Sequence, residues 1–204
     1  MKAKVAGILL AGGRSSRMGG GDKCLKRLGE QTLLSRTIER TKDQVGPMVL
    51  NANGDPSRFS SYGLPVVADV ISDFPGPLAG VLTGLEWAAQ HAPEYEYIAT
   101  FASDTPFIPR CLVGNLYKLI EFGANLACAT SNRRHHPVFG LWPVRERSNL
   151  RKAMVVDNTR KVAMWTARYK LGIVDFPTKP IDPFFNINTP EDLAYAEDFL
   201  AQIG

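Results

Sequence analysis

The stretch Leu9-Leu10-Ala11-Gly12-Gly13-Arg14-Ser15-Ser16-Arg17-Met18-Gly19-Gly20-Gly21-Asp22-Lys23 decides how this chain is read. An apolar run from Val5 to Leu10 stops at two glycines and opens into a loop holding three more glycines, two arginines and a lysine. Glycine tolerates positive φ and lets backbone N–H groups lie flat against an anion. Arg17 can fork two phosphate oxygens, and Lys23 adds a mobile point charge. A buried-type strand emptying into such a loop reads as a polyphosphate site.

Spacing excludes two other glycine loops. A P-loop ends in Gly-Lys-Ser/Thr, whereas Asp22 precedes Lys23 here and Cys24 follows it. A dinucleotide fingerprint needs Gly-x-Gly-x-x-Gly, which Gly12-Gly13-Arg14 does not supply.

Working outward, 204 residues with 45% hydrophobic and 22% charged content suit one globular domain with a substantial core. No linker, repeat or low-complexity tract divides the chain, so residues 1–204 are expected to form a single domain. No apolar run approaches the roughly 20 residues that span a bilayer. Met1-Lys2-Ala3-Lys4 leads straight into a strand, with no signal peptide evident. The expectation is a cytoplasmic protein without membrane contact. Cys24, Cys111 and Cys128 are scattered without metal-ligand spacing, which suits structural thiols in a reducing compartment. A net charge of +4 is too small to argue for nucleic acid, and none is expected as a partner. Arg14, Arg17, Lys23, Lys26 and Arg27 cluster around the glycine loop against Asp22 alone, which favours a small anionic ligand.

Short apolar runs alternate with helical patterns, the signature of an α/β fold with a mostly parallel sheet covered on both faces. Helical spacing predicts an amphipathic helix over Gln31 to Gln44 and a strand over Pro47 to Leu50. Leu64 to Asp69 reads as a buried strand, and Asp73-Phe74-Pro75-Gly76-Pro77 as a turn. Leu78, Val81, Leu85 and Ala88 then mark the inner face of a helix, and Tyr97 to Ala102 a further strand. Pro109 is expected to open a helix capped by Gly123, with Leu112, Leu116 and Leu119 inward. Asn125 to Thr130 and Pro137 to Trp142 read as strands around a basic turn, Arg133-Arg134-His135-His136. Arg145 to Arg168 is more polar, one broken helix or two, before a strand at Leu171 to Phe176. Thr189 and Pro190 start the last helix, whose buried stripe is Leu193, Ala196 and Leu200.

In an open α/β sheet, ligands bind beyond the carboxyl ends of the strands. The glycine loop, Asn51, Asp69 and Asp104 all stand at such ends. Asp104 is either a carboxylate for Mg²⁺ on a triphosphate or an Asx-turn residue before Pro106. Asn51 and Asp69 suit a base edge or a ribose, and equally suit turns. Asn186 and Asn188 either reach a substrate or order the turn before the last helix. His135 and His136, beside Arg133 and Arg134, are either solvated or face an anionic acceptor.

Taken together, Leu10-Ala11-Gly12-Gly13, Ser16-Arg17-Met18-Gly19 and Asp22-Lys23 resemble the signature of the molybdenum cofactor guanylyltransferases, the MobA-type nucleotidyltransferases. Asn51-Ala52-Asn53, the Asp69 strand end, Pro75-Gly76-Pro77-Leu78-Ala79-Gly80, Asp104-Thr105-Pro106-Phe107 and Asn186-Ile187-Asn188-Thr189-Pro190 follow in that family's order. The loop start alone is shared across the nucleotidyltransferase superfamily. Met-Gly-Gly-x-Asp-Lys, Pro-Gly-Pro-Leu-Ala-Gly and Asp-Thr-Pro-Phe narrow it, and Gly12 leans towards GTP because relatives that handle CTP resemble Leu-Ala-Ala-Gly there.

The resemblance implies a Rossmann-like three-layer αβα nucleotidyltransferase fold, with a nucleotide-binding part over about residues 1–106 and an acceptor-binding part over about 107–204. It implies transfer of GMP from Mg-GTP to molybdopterin with release of pyrophosphate. Leu10, Ala11, Gly12, Gly13, Lys23, Asn51, Asp69 and Asp104 match GTP contacts, and Asp104 also matches the Mg²⁺ ligand. Arg17, Lys23 and Asp104 are the expected catalytic residues, and Asn186 and Asn188 match the pterin side. Transient contact with molybdenum cofactor insertion proteins or molybdoenzyme chaperones is a further expectation. The rivals are a nucleotidyltransferase acting on CTP or a sugar phosphate, and a non-catalytic GTP-binding adaptor.

Overall fold

The structure, a computed structural model, describes residues 4–12, 20–72 and 76–203. Among these, the chain order is β1 (Val5–Leu10), β2 (Arg27–Leu28), β3 (Gln31–Thr32), α1 (Leu33–Thr41), β4 (Met48–Asn51), β5 (Val66–Val67), α2 (Pro77–His91), β6 (Tyr97–Ala102), α3 (Leu112–Glu121), β7 (Leu126–Ser131), β8 (Arg134–Pro143), α4 (Arg147–Val155), α5 (Val162–Thr166), β9 (Leu171–Phe176) and α6 (Pro190–Ile203). Seven strands form one sheet in the order β5-β4-β1-β6-β8-β7-β9, and β2 pairs with β3 separately. Every neighbouring pair in the large sheet is parallel except β6–β8 and β7–β8. β8 therefore runs alone against six strands that share one direction.

Period-two alternation builds the layers. On β1, Val5 and Leu9 join one core with Leu34 of α1 and Leu112 and Leu116 of α3. Ala6 and Ile8 point the other way, into a core with α2, Leu150 of α4 and Trp165 of α5. β6 does the same, sending Tyr97, Ala99 and Phe101 to the first core and Ile98 to the second. Burial on both faces is why these strands read as near-continuous apolar runs. Helix–sheet–helix layering makes the fold the expected three-layer α/β arrangement. A smaller cluster of Leu28, Leu33, Phe107, Ile187 and Ala196 seats α6 beside the β2–β3 hairpin.

Several local expectations shift. The helix expected over Gln31 to Gln44 is shorter, because Gln31 and Thr32 pair with β2 and the Thr32 hydroxyl caps α1 by accepting from the Ser35 N–H at 3.0 Å. The buried strand expected over Leu64 to Asp69 is only Val66–Val67, half-buried at the sheet edge, where Pro65 removes a ladder donor. α3 begins at Leu112, not Pro109, which lies in the preceding turn. The basic turn is only Asn132-Arg133, both with positive φ (46° and 63°), and Arg134 to His136 already belong to β8. That geometry is the two-residue turn that suits a twisted hairpin. Leu193 and Leu200 flank the buried Ala196 as expected. The Asp73-Phe74-Pro75 part of the expected turn lies outside the described residues.

The strand order reverses at β1, with β4 on one side and β6 on the other, so the crevice of the sheet opens at the ends Leu10 and Ala102. Ser103 pins the two ends together, its N–H and hydroxyl both donating to the Leu10 carbonyl at 3.2 and 2.9 Å. β6 and β8 pair only from Tyr97↔Pro143 to Ala99↔Leu141 and then part, which leaves the end of β6 open on that side.

Candidate active site

A cleft of about 910 Å³ occupies this crevice, and Leu10, Gly12, Asn51, Asp69, Asp104 and Asn186 all line it. Six of the residues singled out in the sequence thus meet at one mouth, supplied by β1, β4, β6 and the segments after β5 and β9.

On one wall, Asp69 is held by two asparagines. Asn51 Nδ2 donates to Asp69 Oδ1 at 3.0 Å, and Asn53 Nδ2 donates to Oδ2 at 2.8 Å. Asn53 Oδ1 accepts in return from the Asp69 N–H at 2.9 Å. Asn51 also donates to the Val67 carbonyl at 3.3 Å, so the same side chain ties β4 to the edge strand. Asn53 was not among the expected site residues. Its signal was the Asn51-Ala52-Asn53 spacing, since residues two apart at a strand end share a face.

α2 approaches this wall closely because two glycines flatten its inner face. A Cβ on Gly80 would stand 2.5 Å from Leu10 Cδ2 and 2.6 Å from Asn51 Oδ1, and one on Gly84 would stand 2.8 Å from Ile8 Cδ1. Gly76 at φ 116° turns the chain into the helix, and Pro77 occupies its first turn. Gly76, Pro77 and Gly80 all line the cleft, so the N-terminus of a 15-residue helix faces it with a positive dipole.

A charged pair adjoins the cleft, of which Asp104 lines it and Lys23 does not, and Asn188 beside them does not line it either. Lys23, in a short 3-10 turn, forms an ion pair with Asp104, and its Nζ donates to Asn188 Oδ1 at 2.7 Å. The two charged side chains are 13% and 15% exposed, so their interaction is only partly screened by water. Asn186 Oδ1 accepts from the Thr105 hydroxyl at 2.5 Å, and the Ile187 N–H donates to the Asp104 carbonyl at 3.1 Å. Asp22, the other half of the Asp-Lys motif, pairs with Arg58 Nε at 2.9 Å instead of facing Asp104.

Ala11 does not line the cleft. Its side chain is buried in the core and its N–H donates to the Asn51 carbonyl at 2.9 Å. Gly13 and Arg17 lie outside the described residues. Among the described residues no group of three or more His, Cys, Asp or Glu side chains could cage a metal ion. A lone strand-end carboxylate such as Asp104 fits a hard cation that takes its other ligands from phosphate and water. No helix among the described residues is long and apolar enough to cross a membrane.

Residues 7–171 match the model of the MobA-like NTP transferase domain. The molybdenum cofactor guanylyltransferase of Nitrobacter hamburgensis is 52% identical over 199 residues, covering 97% of this chain and 95% of that protein. Among solved structures, molybdopterin-guanine dinucleotide biosynthesis protein A from Archaeoglobus fulgidus superposes with a TM-score of 0.74 at 22% identity, covering 97% of this chain and 99% of that one. A Mycobacterium tuberculosis protein solved in complex with manganese superposes with a TM-score of 0.68 at 15% identity, covering 95% and 98%. At such identities the structural matches establish the shared nucleotidyltransferase fold. The domain match and the half-identical relative establish more: this chain belongs to the molybdenum cofactor guanylyltransferases of the MobA-like NTP transferase family.

Proposed function

We propose that the cleft transfers GMP from GTP to molybdopterin, forming the guanine dinucleotide form of the cofactor and releasing pyrophosphate. The observation that carries this reading is the convergence on one crevice of the Asn51–Asp69 wall, the N-terminus of α2 and Asp104, which is ion-paired with Lys23 beside it. Together they offer a polar pocket for a nucleoside, a positive dipole for phosphates and a site for a cation. Membership of a family whose relatives are named guanylyltransferases supports GTP as the donor.

In this reading Leu10, Gly12, Gly13, Asn51 and Asp69 contact the nucleotide, and Asn186 and Asn188 face the pterin. Residues of about 1–106 supply the nucleotide half and about 107–204 the acceptor half. The terminal phosphate of molybdopterin attacks the α-phosphorus of GTP, and the bond to the pyrophosphate oxygen breaks. A phosphate monoester is already ionised near neutral pH, so no general base is needed. Positioning and charge neutralisation carry the barrier. Lys23 and Arg17 take up charge developing on the pyrophosphate, and Asn188 fixes where Lys23 points. Asp104 would hold Mg²⁺, which supplies further neutralisation of the phosphate oxygens when bound. We place the protein in the cytoplasm and expect transient contacts with cofactor insertion proteins or molybdoenzyme chaperones.

The decisive experiment is incubation of the protein with Mg²⁺, GTP and molybdopterin, with mass detection of the dinucleotide and assay of pyrophosphate. Product with GTP and not with CTP is the expected result. Product with CTP alone, or nucleotide binding without pyrophosphate release in the presence of molybdopterin, would overturn the reading.

A further inference from the structure

Beside the cleft, the structure gathers Ser131, His136 and Asp182. Ser131 ends β7 and is fully buried, His136 lies on β8, and Asp182 belongs to residues 177–189 between β9 and α6. Ser131 Oγ stands 2.7 Å from His136 Nε2 and 2.9 and 3.0 Å from the two oxygens of Asp182. A hydroxyl has a single hydrogen to give. Directed to the carboxylate, which has none, it leaves Ser131 Oγ as the acceptor of a hydrogen on His136 Nε2. The cluster is then an ordered chain in which His136 donates to Ser131 and Ser131 donates to Asp182.

Asp182 passes this anchorage into its own segment. Its Oδ1 accepts from the Phe184 N–H at 2.9 Å, and its carbonyl accepts from the Phe185 N–H at 3.0 Å. The turn drives the buried Phe184 ring against His136, Phe139 and Phe176, with centroids 4.6, 4.8 and 5.5 Å apart. Immediately afterwards come Asn186 on Thr105, Ile187 on Asp104 and Asn188 on Lys23. A segment without regular structure has few backbone bonds of its own and takes its shape from such side-chain ties.

We propose that Ser131, His136 and Asp182 are positioning residues, a latch that fastens residues 182–188 to the β7–β8 hairpin so that Asn186 and Asn188 meet the acceptor. The proposal rests on the reading that these asparagines face the pterin. The nucleotide wall at Asn51 and Asp69 is built from other strands and other hydrogen bonds, and only Ile187 and Asn188 of the segment reach Asp104 and Lys23, so loosening the latch acts on the acceptor more than on GTP.

The test is steady-state turnover of Ser131→Ala, Asp182→Ala and the pair His136→Gln and His136→Leu, with GTP and molybdopterin varied in turn. The expected result is a rise in KM for molybdopterin of about fivefold to tenfold, the weight of one net hydrogen bond, with a clearly smaller change in KM for GTP. His136→Gln, whose amide can donate to Ser131, should stay near wild type, whereas His136→Leu should not. Parallel rises in both KM values, identical behaviour of the Gln and Leu variants, or no change at all would overturn the latch. If the Ser131 variant does not fold, the His136 pair carries the same test. Wild-type protein is the control that separates the two readings: no dinucleotide from wild type sinks the proposed function, whereas normal wild-type turnover with indifferent variants sinks only the latch.

Discussion

Asn53 and Asp69 hold each other through two hydrogen bonds of opposite sense, the asparagine amide to the carboxylate at 2.8 Å and the aspartate N–H to the asparagine carbonyl oxygen at 2.9 Å. The carboxylate is thereby fixed in both position and orientation before any ligand arrives. Asn53→Ala should raise KM for GTP by about tenfold, the low end for a hydrogen bond to a charged group because the site is partly exposed. Titration of GTP under steady-state conditions, with molybdopterin saturating, checks it. An unchanged KM would mean that Asp69 holds its place without Asn53.

Lys23→Ala and Asp104→Ala should both fold and lose about two to three decades of turnover, the usual loss when a preorganised electrostatic contact is removed. Circular dichroism and single-turnover product formation measure the two halves of that statement. Near-normal turnover in either variant would remove the Lys23–Asp104 pair from the reaction.

Gly80 stands where α2 crosses Leu10 and Asn51. Gly80→Ala would push a methyl against the flexible tip of Leu10 and against the Asn51 amide, which its bond to Asp69 keeps from moving freely. We expect a stability loss of about 1–3 kcal/mol by denaturant titration. A raised KM for GTP should accompany it. A variant as stable as wild type with unaltered KM would show that the helix can lift from the wall at no cost.

Burial lowers the pKa of His136 below its usual value, with Arg134 and His135 acting in the same direction and Asp182 opposing them. The unfolded chain therefore takes up this proton first as pH falls. Stability should decline as pH drops through about 6.5 towards the lower folded value. Thermal unfolding at closely spaced pH values should show that part of the decline missing in His136→Gln. An identical slope in the two proteins would put the acid sensitivity elsewhere.

Burial pushes the thiols of Cys24 and Cys128 up to about 11, and at Cys24 the neighbouring Asp22 and Asp104 add to the effect. Cys111 is exposed. A thiolate-selective reagent at pH 8 should titrate one thiol per chain in the native protein and three after denaturation. Rapid native labelling of Cys24 would indicate that the turn bearing Lys23 opens readily.

Much of the architecture was legible because it rests on periodicity. Val5 to Leu10 and Tyr97 to Ala102 are apolar on both faces, and Leu78, Val81, Leu85 and Ala88 recur at helical spacing. Strand ends followed from these runs, and with them the convergence of Leu10, Asn51, Asp69 and Asp104. Where the signal was a composition instead of a period it misled. Leu64 to Asp69 is apolar, yet it has only β4 to pair with and stays half-exposed. Arg133 to His136 looked like one basic tip, but positive φ at Asn132 and Arg133 ends the turn and puts His136 in a strand. The pairing of Lys23 with Asn188 joins residues 165 positions apart, and no local pattern encodes such a partner. The same is true of Ser131 with Asp182, 51 positions apart.

The reversed strand β8 carries a consequence for how this enzyme can be redesigned. Its short seam with β6, from Ala99↔Leu141 to Tyr97↔Pro143, is the only strand pairing among the described residues between the strands bearing the Asn51–Asp69 wall and those of the β7–β8 hairpin. Because β8 runs backwards, its beginning and not its end lies at the mouth, so the two-residue turn at Asn132-Arg133 sits at the same end of the sheet as the cleft. Lengthening that turn, or exchanging residues 177–185, alters what can approach without disturbing a hydrogen bond of β1, β4 or β6. A graft confined to the hairpin turn and residues 177–185, which keeps the ties of Asn186, Ile187 and Asn188 to Thr105, Asp104 and Lys23, is on the proposed reading the economical way to offer the same nucleotide site a different acceptor.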